Sequence, residues 1–287
     1  MAGDAPAPSV GSRLPAREDA LAMRHRFVRP EGAGHAARHG LPRPPTYAKA
    51  RPDMKIIDEL KRGTKVLMFD QYGTIVDIQG GLIEVATPFL KEKGWDGRPD
   101  AFVTWWRRTH FENSMIDALL QRDHISYRQI GEISVAYTLE RAGIPHTPAE
   151  VSWLVAQIEK LKPFPDVPAA LEKLRQRYPL AILSNGDPDM LEAARAHHGL
   201  QFDHIISVAS AGAFKPHRST YTQAAALVGV KMDEVIFVAN HAFDCIGAKA
   251  AGMQTVFIDR RKRPFGDWPY QPDLIIEDFK SLAEVLA

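Results

Sequence analysis

Lys65-Val66-Leu67-Met68-Phe69-Asp70-Gln71-Tyr72-Gly73-Thr74 is an apolar run that ends in a carboxylate and passes at once into a glycine-containing turn. A short apolar run bounded by turn signals reads as a strand buried on both faces. In an open α/β sheet, ligands sit outside the carboxyl ends of the strands. Asp70 is therefore aimed at the crevice where chemistry would occur. Asp is also common in solvated turns, so the decision rests on the rest of the chain.

Downstream, strand and helix alternate. Leu180-Ala181-Ile182-Leu183-Ser184-Asn185 reads as a buried strand, and Ile205 to Val208, Val235 to Ala239, Thr255 to Ile258 and Asp273 to Ile276 as further strands. Helices are predicted over Pro165–Arg177, Met190–His198, Ser219–Leu227, Ala242–Ala251 and Phe279–Leu286, and Gly199, Gly229 and Gly252 mark three of their ends. Repeated βα units mean a Rossmann-like parallel sheet covered on both faces.

Between the first strand and this array lies a stretch with no convincing strand. A helix is predicted over Leu82–Lys93, broken by Gly94. Phe102, Trp105, Trp106, Phe111, Met115, Leu119 and Leu120 recur at helical spacing, and a second helix is expected over Ser126–Ala142. Thr147-Pro148-Ala149-Glu150 has the cap, the first-turn proline and the returning glutamate of a helix start. The expected organisation is an α/β core over 54–81 and 163–287 with a helical cap domain inserted at 82–162.

Residues 1–53 differ in kind: rich in Ala, Pro, Arg and Gly, almost without aliphatic periodicity. They read as a disordered leader. A transit-type targeting peptide and a true start at Met54 are the alternatives. The whole chain is 45% apolar and 25% charged with a formal net charge of +1, which points to neither nucleic acid nor membrane. One cysteine, Cys245, excludes internal disulfides and cysteine-rich metal sites and fits a reducing, cytoplasmic setting.

Several strand ends deliver polar side chains to one edge: Asp70, then Ser184 and Asn185, then Asn240, His241 and Asp244, with Lys215 in Phe214-Lys215-Pro216 after another strand. In a parallel sheet these ends converge, so they read as one site. Cys245 adjoins Asp244 but belongs to packing, since residues one apart on a helix do not face each other. The run Arg260-Arg261-Lys262-Arg263 is expected to be a solvated loop.

Phe-Asp-x-Tyr-Gly-Thr, Leu-Ser-Asn-Gly, Lys-Pro and a late strand followed by Asp, in this order over about 65–287, resemble the haloacid dehalogenase superfamily, and within it most the L-2-haloacid dehalogenases. Phosphatases of that superfamily carry a second Asp two residues after the nucleophile; here Tyr72 stands there. They also hold Mg²⁺ with a carboxylate near the last motif; here the residue is Asn240, four before Asp244. Mg²⁺ favours anionic oxygen ligands. Losing both carboxylates fits a reaction with no metal or other cofactor and a leaving group that needs no proton, such as a halide.

The resemblance implies roles. Asp70 attacks the carbon bearing the halogen and forms an ester. Arg107, in Trp106-Arg107, and Asn185 receive the halide. Thr74 and Ser184 donate to the Asp70 carboxylate and the substrate carboxylate. Lys215 keeps Asp70 ionised, Tyr221 matches a pocket tyrosine, and Asp244 orients or deprotonates the water that cleaves the ester. Departures lie in Ala239-Asn240-His241, in Gln71 and in Phe243. His241 is a base, a pocket wall or a packing residue. The expected reaction converts a short L-2-haloalkanoate to the D-2-hydroxy acid. A phosphatase, a hydrolase opening a strained ring as in azetidine-2-carboxylate, and a catalytically silent binding protein are the alternatives. The expected partner is a small-molecule 2-haloacid; a homodimer is left open.

Overall fold

The computed structural model describes residues 54–120 and 123–287, so the expectation for the leader lies outside the described residues. A first helix, α1 (Met54–Gly63), leads into β1 (Val66–Phe69), whose four residues are all buried. The other strands are β2 (Leu180–Ser184), β3 (His204–Ser207), β4 (Val235–Ala239), β5 (Gln254–Ile258) and β6 (Leu274–Ile276). All pair in parallel in the order β3-β2-β1-β4-β5-β6. The chain winds one way from β1 through β2 to β3 and the other way from β4 to β6. The reversal falls between β1 and β4, where such sheets open a crevice. Phe69 is in register with Ile182 on one side and Val238 on the other, which places Asp70 at that switch point.

Between β1 and β2 run α2 (Ile78–Glu92), α3 (Pro99–Leu120), α4 (Tyr127–Arg141) and α5 (Pro148–Ala156), packed serially on one another. Helix α2 starts a turn earlier than its periodicity suggested. Gly80 and Gly81 are poor helix formers, but the Asp77 side chain accepts the Gly80 N–H and fixes the start. The Thr147–Glu150 capping box of α5 forms in both directions. Helix α3 differs more. Its buried face is Phe102, Trp106, His110, Ser114 and Asp117, whereas Trp105, Leu119 and Leu120 face solvent. Of the expected stripe, Phe102 and Trp106 are fully buried, and the rest is not because the second half of the buried face is polar.

Helices α6 (Val167–Leu174), α7 (Pro188–His198), α8 (Arg218–Val228), α9 (Ala242–Ala251) and α10 (Phe279–Leu286) cover the sheet. Gly199, Gly229 and Gly252 end three of them in the left-handed conformation, as their positions suggested. Asp187, at the start of α7, reaches across to the inserted helices. Its two oxygens accept the N–H groups of Tyr127 and Arg128 at 2.8 and 3.0 Å, so it caps α4 rather than its own helix. Arg128 answers with ion pairs to Asp189 and Glu159. Among the described residues no helix is long and apolar enough to cross a membrane.

Candidate active site

The β1 strand ends in a tight turn. The Gln71 carbonyl accepts the N–H groups of Thr74, Ile75 and Val76, and Gly73 N–H closes onto the Val76 carbonyl. Gly73 sits at φ +90°, and a Cβ there would come within 2.9 Å of His241 Cε1. Only glycine permits both that backbone and the approach of the imidazole. The turn folds Thr74 back so that its hydroxyl donates to Asp70 Oδ2 at 2.7 Å while accepting the Asn240 N–H at 2.9 Å. Asn240 also donates its Nδ2 to the Gly73 carbonyl. The ends of β1 and β4 are thus bonded together around the carboxylate.

Asp70 is 7% exposed, and that exposure faces a cavity of about 670 Å³ between the strand ends and the inserted helices. Lys215, 2% exposed, donates to Asp70 Oδ1 at 3.2 Å and to Asp244 Oδ2 at 2.8 Å. His241 Nδ1 lies 3.5 Å from Asp70 Oδ2. Burial works against charge on Asp70, but Lys215, His241 and Thr74 together hold its pKa well below the usual carboxylate range. Burial also opposes the Lys215 charge, yet the two carboxylates raise its pKa. For Asp244 burial dominates and pushes the pKa up despite Lys215. The charge shared by Lys215 therefore favours ionisation of Asp70 over Asp244.

The opposite wall comes from the inserted helices. Arg107 is oriented by Gln79, whose Oε1 accepts from NH1 at 2.7 Å, and burial, aided by the nearby Arg261, lowers its pKa to about 10. Phe111 packs on Phe243 at 4.5 Å between ring centroids, giving an apolar flank. Tyr72 stacks on Tyr127 at 5.6 Å with the rings nearly parallel, and its buried hydroxyl has no hydrogen-bond partner among the described residues. Burial lifts the Tyr72 pKa well above that of a free phenol. His110 lies 4.1 Å from Tyr127, and burial lowers its pKa to about 3, so it is neutral.

The structure gathers Asp70, Thr74, Lys215, Asp244, Asn240 and His241 at one point and sets Tyr72, Arg107, Asn185 and Phe243 around them. Two residues expected to touch substrate do not line the cavity. The Ser184 hydroxyl is buried and accepts the Gly186 N–H, turned into its own loop. The Tyr221 hydroxyl lies behind Asp244 and donates to its Oδ1 at 2.7 Å. With Lys215 on the other oxygen, each oxygen of Asp244 has a donor. Asn185 lines the cavity, but its Oδ1 is committed to the Lys215 N–H.

Sequence reading also missed residues. Gln79, His110 and Tyr127 carry no local signature, being single polar positions on helices. The basic run is not simply a solvated loop. Arg260 stacks over Phe164 at 4.0 Å, pairs with Asp166 and donates to the Thr74 carbonyl. Arg261 reaches His241, with 3.5 Å between NH2 and Nε2, and lines the cavity with Arg263. Its acidic neighbours in sequence suggested solvation, but only topology brings this loop over the switch point.

A parallel sheet with a reversal beside β1, a carboxylate at that strand's end and helices inserted immediately after it define a Rossmann-like α/β protein with its site at the switch point. The model of the haloacid dehalogenase-like hydrolases matches residues 64–252, and the chain belongs to this family. It is 30% identical over 226 residues to an (S)-2-haloacid dehalogenase of Pseudomonas sp. strain YL, covering 77% of this chain and 94% of that protein. It is 35% identical over 200 residues to an (S)-2-haloacid dehalogenase of Xanthobacter autotrophicus, covering 68% and 75%. The solved L-2-haloacid dehalogenase of Xanthobacter autotrophicus with chloropropionic acid covalently bound superposes with a TM-score of 0.69 at 29% identity, over 77% of this chain and 98% of that one.

Proposed function

We propose that this chain is a hydrolytic L-2-haloacid dehalogenase acting through an ester on Asp70. One observation carries the reading: a buried carboxylate is held ionised at the cavity floor, while the residue two positions on, Tyr72, is a buried phenol with a raised pKa. A nucleophile is supplied, and that neighbour is too weak an acid to protonate a leaving group. Halide leaves without a proton. Its negative charge needs a cation in a water-poor pocket, and Arg107 beside the Phe111–Phe243 flank supplies both.

In the first step an Asp70 oxygen displaces halide from the substrate's second carbon and inverts it. Water then adds to the Asp70 side-chain carbonyl carbon, and the ester bond breaks at that carbon. Lys215 covers one Asp70 oxygen and Thr74 the other, so whichever becomes negative on water addition has a donor in place. His241, 3.5 Å from Asp70 and open to the cavity, is placed to contact the water that adds to the ester. Asp244, held by Lys215 at one oxygen and by Tyr221 at the other, serves by fixing the ammonium. The helices between β1 and β2 act as the cap that excludes water. A divalent metal fits this site poorly. The Lys215 ammonium already occupies the space between the two carboxylates, and Asn240 turns its amide nitrogen to Gly73.

The test is a single turnover of (S)-2-chloropropionate in ¹⁸O-water with a chelator present. Chloride release should survive chelation, the label should enter the Asp70 side chain, and the product should be D-lactate. Label in the product hydroxyl during that first turnover would mean direct attack by water and would refute the role given to Asp70.

A further inference from the structure

Arg261 and Arg263 stand at the cavity mouth without a task in the reaction above. Arg107 is assigned to the halide and Lys215 to Asp70, and Arg260 is bound to Asp166 and the Thr74 carbonyl. Among the described residues neither Arg261 nor Arg263 makes an ion pair. Asp77 is the carboxylate whose charge Arg261 senses, and one Asp77 oxygen is already taken by the Gly80 N–H. Partial burial of its head group and the adjacent Arg263 charge both hold the Arg261 pKa below the usual guanidinium value. Like charges gathered at a mouth cost free energy unless an anion completes them.

Geometry supplies the direction. The His241 imidazole points one nitrogen at Asp70 and the other at Arg261, each at 3.5 Å. The Arg261 guanidinium is therefore one imidazole away from the nucleophile, on the solvent side. A tail leaving a substrate carbon held at Asp70 on the His241 side reaches that guanidinium. The cavity, about 670 Å³, is in the range that takes drug-sized ligands. It is far larger than the six heavy atoms of 2-chloropropionate require.

We propose that Arg261 and Arg263 form a subsite for a second anionic group, so that the preferred substrate is a 2-haloacid whose tail ends in a distal carboxylate. The inference rests on the haloacid reading of Asp70. It leaves the chemistry unchanged: the carbon–halogen bond breaks with its electron pair going to halide, and a carbon–oxygen bond to Asp70 forms. The distal carboxylate takes no part in bond making. It raises affinity and aligns the tail through charge-assisted, fork-shaped hydrogen bonds.

The experiment compares (S)-2-chloroadipate with (S)-2-chlorohexanoate, which has the same carbon count and a neutral end. In the wild-type chain kcat/KM should favour the diacid by about tenfold or more, the range of hydrogen bonds to charged groups. In the Arg261→Gln/Arg263→Gln double variant that ratio should fall to near one. A wild-type ratio near one, or equal losses on both substrates in the variant, would overturn the subsite. Chloride release from 2-chloropropionate alone would leave the dehalogenase reading intact and reject the subsite. If no haloacid is turned over, the dehalogenase reading has failed, and calorimetry still decides the subsite. 2-Hydroxyadipate should bind the wild-type chain about tenfold more tightly than 2-hydroxyhexanoate, and the double variant should lose that difference; equal binding in the wild type rejects the proposal.

Discussion

Replacing Lys215 by Met keeps an unbranched side chain and removes the charge that two buried carboxylates share. Nζ lies 3.2 Å from Asp70 and 2.8 Å from Asp244. At an effective dielectric of about 20, a unit-charge pair at such separations is worth about 5 kcal/mol. That corresponds to about 3–4 pKa units on each carboxylate. In the wild-type chain Asp70 has a depressed folded pKa, so its ionisation adds stability above the unfolded value of 3.8, and this is lost as pH falls through the folded value. Without the ammonium, burial and the charge of Asp244 prevail, and the folded pKa rises above the unfolded one. Asp244, already raised by burial, moves further the same way. The sign then reverses: the variant loses stability as pH rises from about 4 toward the raised pKa values. The gap between wild type and variant should be smallest near pH 4 and reach about 3–5 kcal/mol at pH 7–8, the scale of an uncompensated buried charge. Guanidinium unfolding at pH 4, 6 and 8 measures it. Turnover at pH 7 should fall by orders of magnitude and recover in part at alkaline pH as Asp70 ionises. A stability difference that does not vary with pH, or a wild-type pH–rate profile in the variant, would refute the shared-charge account.

Gly73→Ala places a methyl group 2.9 Å from His241 Cε1 on a backbone at φ +90°, so it should cost about 1–3 kcal/mol and displace the imidazole. An unchanged melting temperature with unchanged turnover would show that the turn relaxes freely. Arg107→Ala should lower kcat for chloride release about 10²–10³-fold with the circular dichroism spectrum preserved, as loss of a transition-state charge donor does. Near-normal kcat would assign the halide to another cation.

The placement of charge explains why this scaffold suits a leaving group that needs no acid. Asp70, Lys215 and Asp244 form a buried set with one net negative charge, and His241 is the imidazole beside it. When Asp70 becomes an ester its charge is lost to the halide. Lys215 then keeps Asp244 as its counter-ion and still donates at the ester oxygen. The site passes from ion to ester without leaving an ammonium unpaired in the interior, which would be costly. Tyr221 completes the arrangement by holding the second oxygen of Asp244. Held at both oxygens, Asp244 is fixed in place as the counter-ion of Lys215.

What the chain reveals locally and what it hides follow one physical division. The strand run ending at Asp70, the alternation of βα units and the glycines at 199, 229 and 252 are readable because each is specified by neighbours in sequence. The same holds for the capping box at Thr147, where all the partners lie within one turn. Asp187 is the opposite case. Beside Pro188 it reads as the cap of α7, yet its side chain is used 60 residues away at Tyr127. Ser184 and Tyr221 failed as pocket residues for a related reason. A motif fixes which residue stands at a strand end or on a helix, but the competing partner decides which way it turns, and Gly186 and Asp244 capture these two hydroxyls. The stripe on α3 misled because cavity walls need polar groups where a core would need leucine, and His110, Ser114 and Asp117 break the apolar period. Arg261 is the extreme instance. Nothing around it in sequence distinguishes it from a solvated arginine, and its position against His241 exists only because β5 lies beside β4, which borders the switch point. Residues whose function depends on a partner from another strand end are legible once the order of the strands is known, and that order is set by the whole sheet rather than by any single stretch.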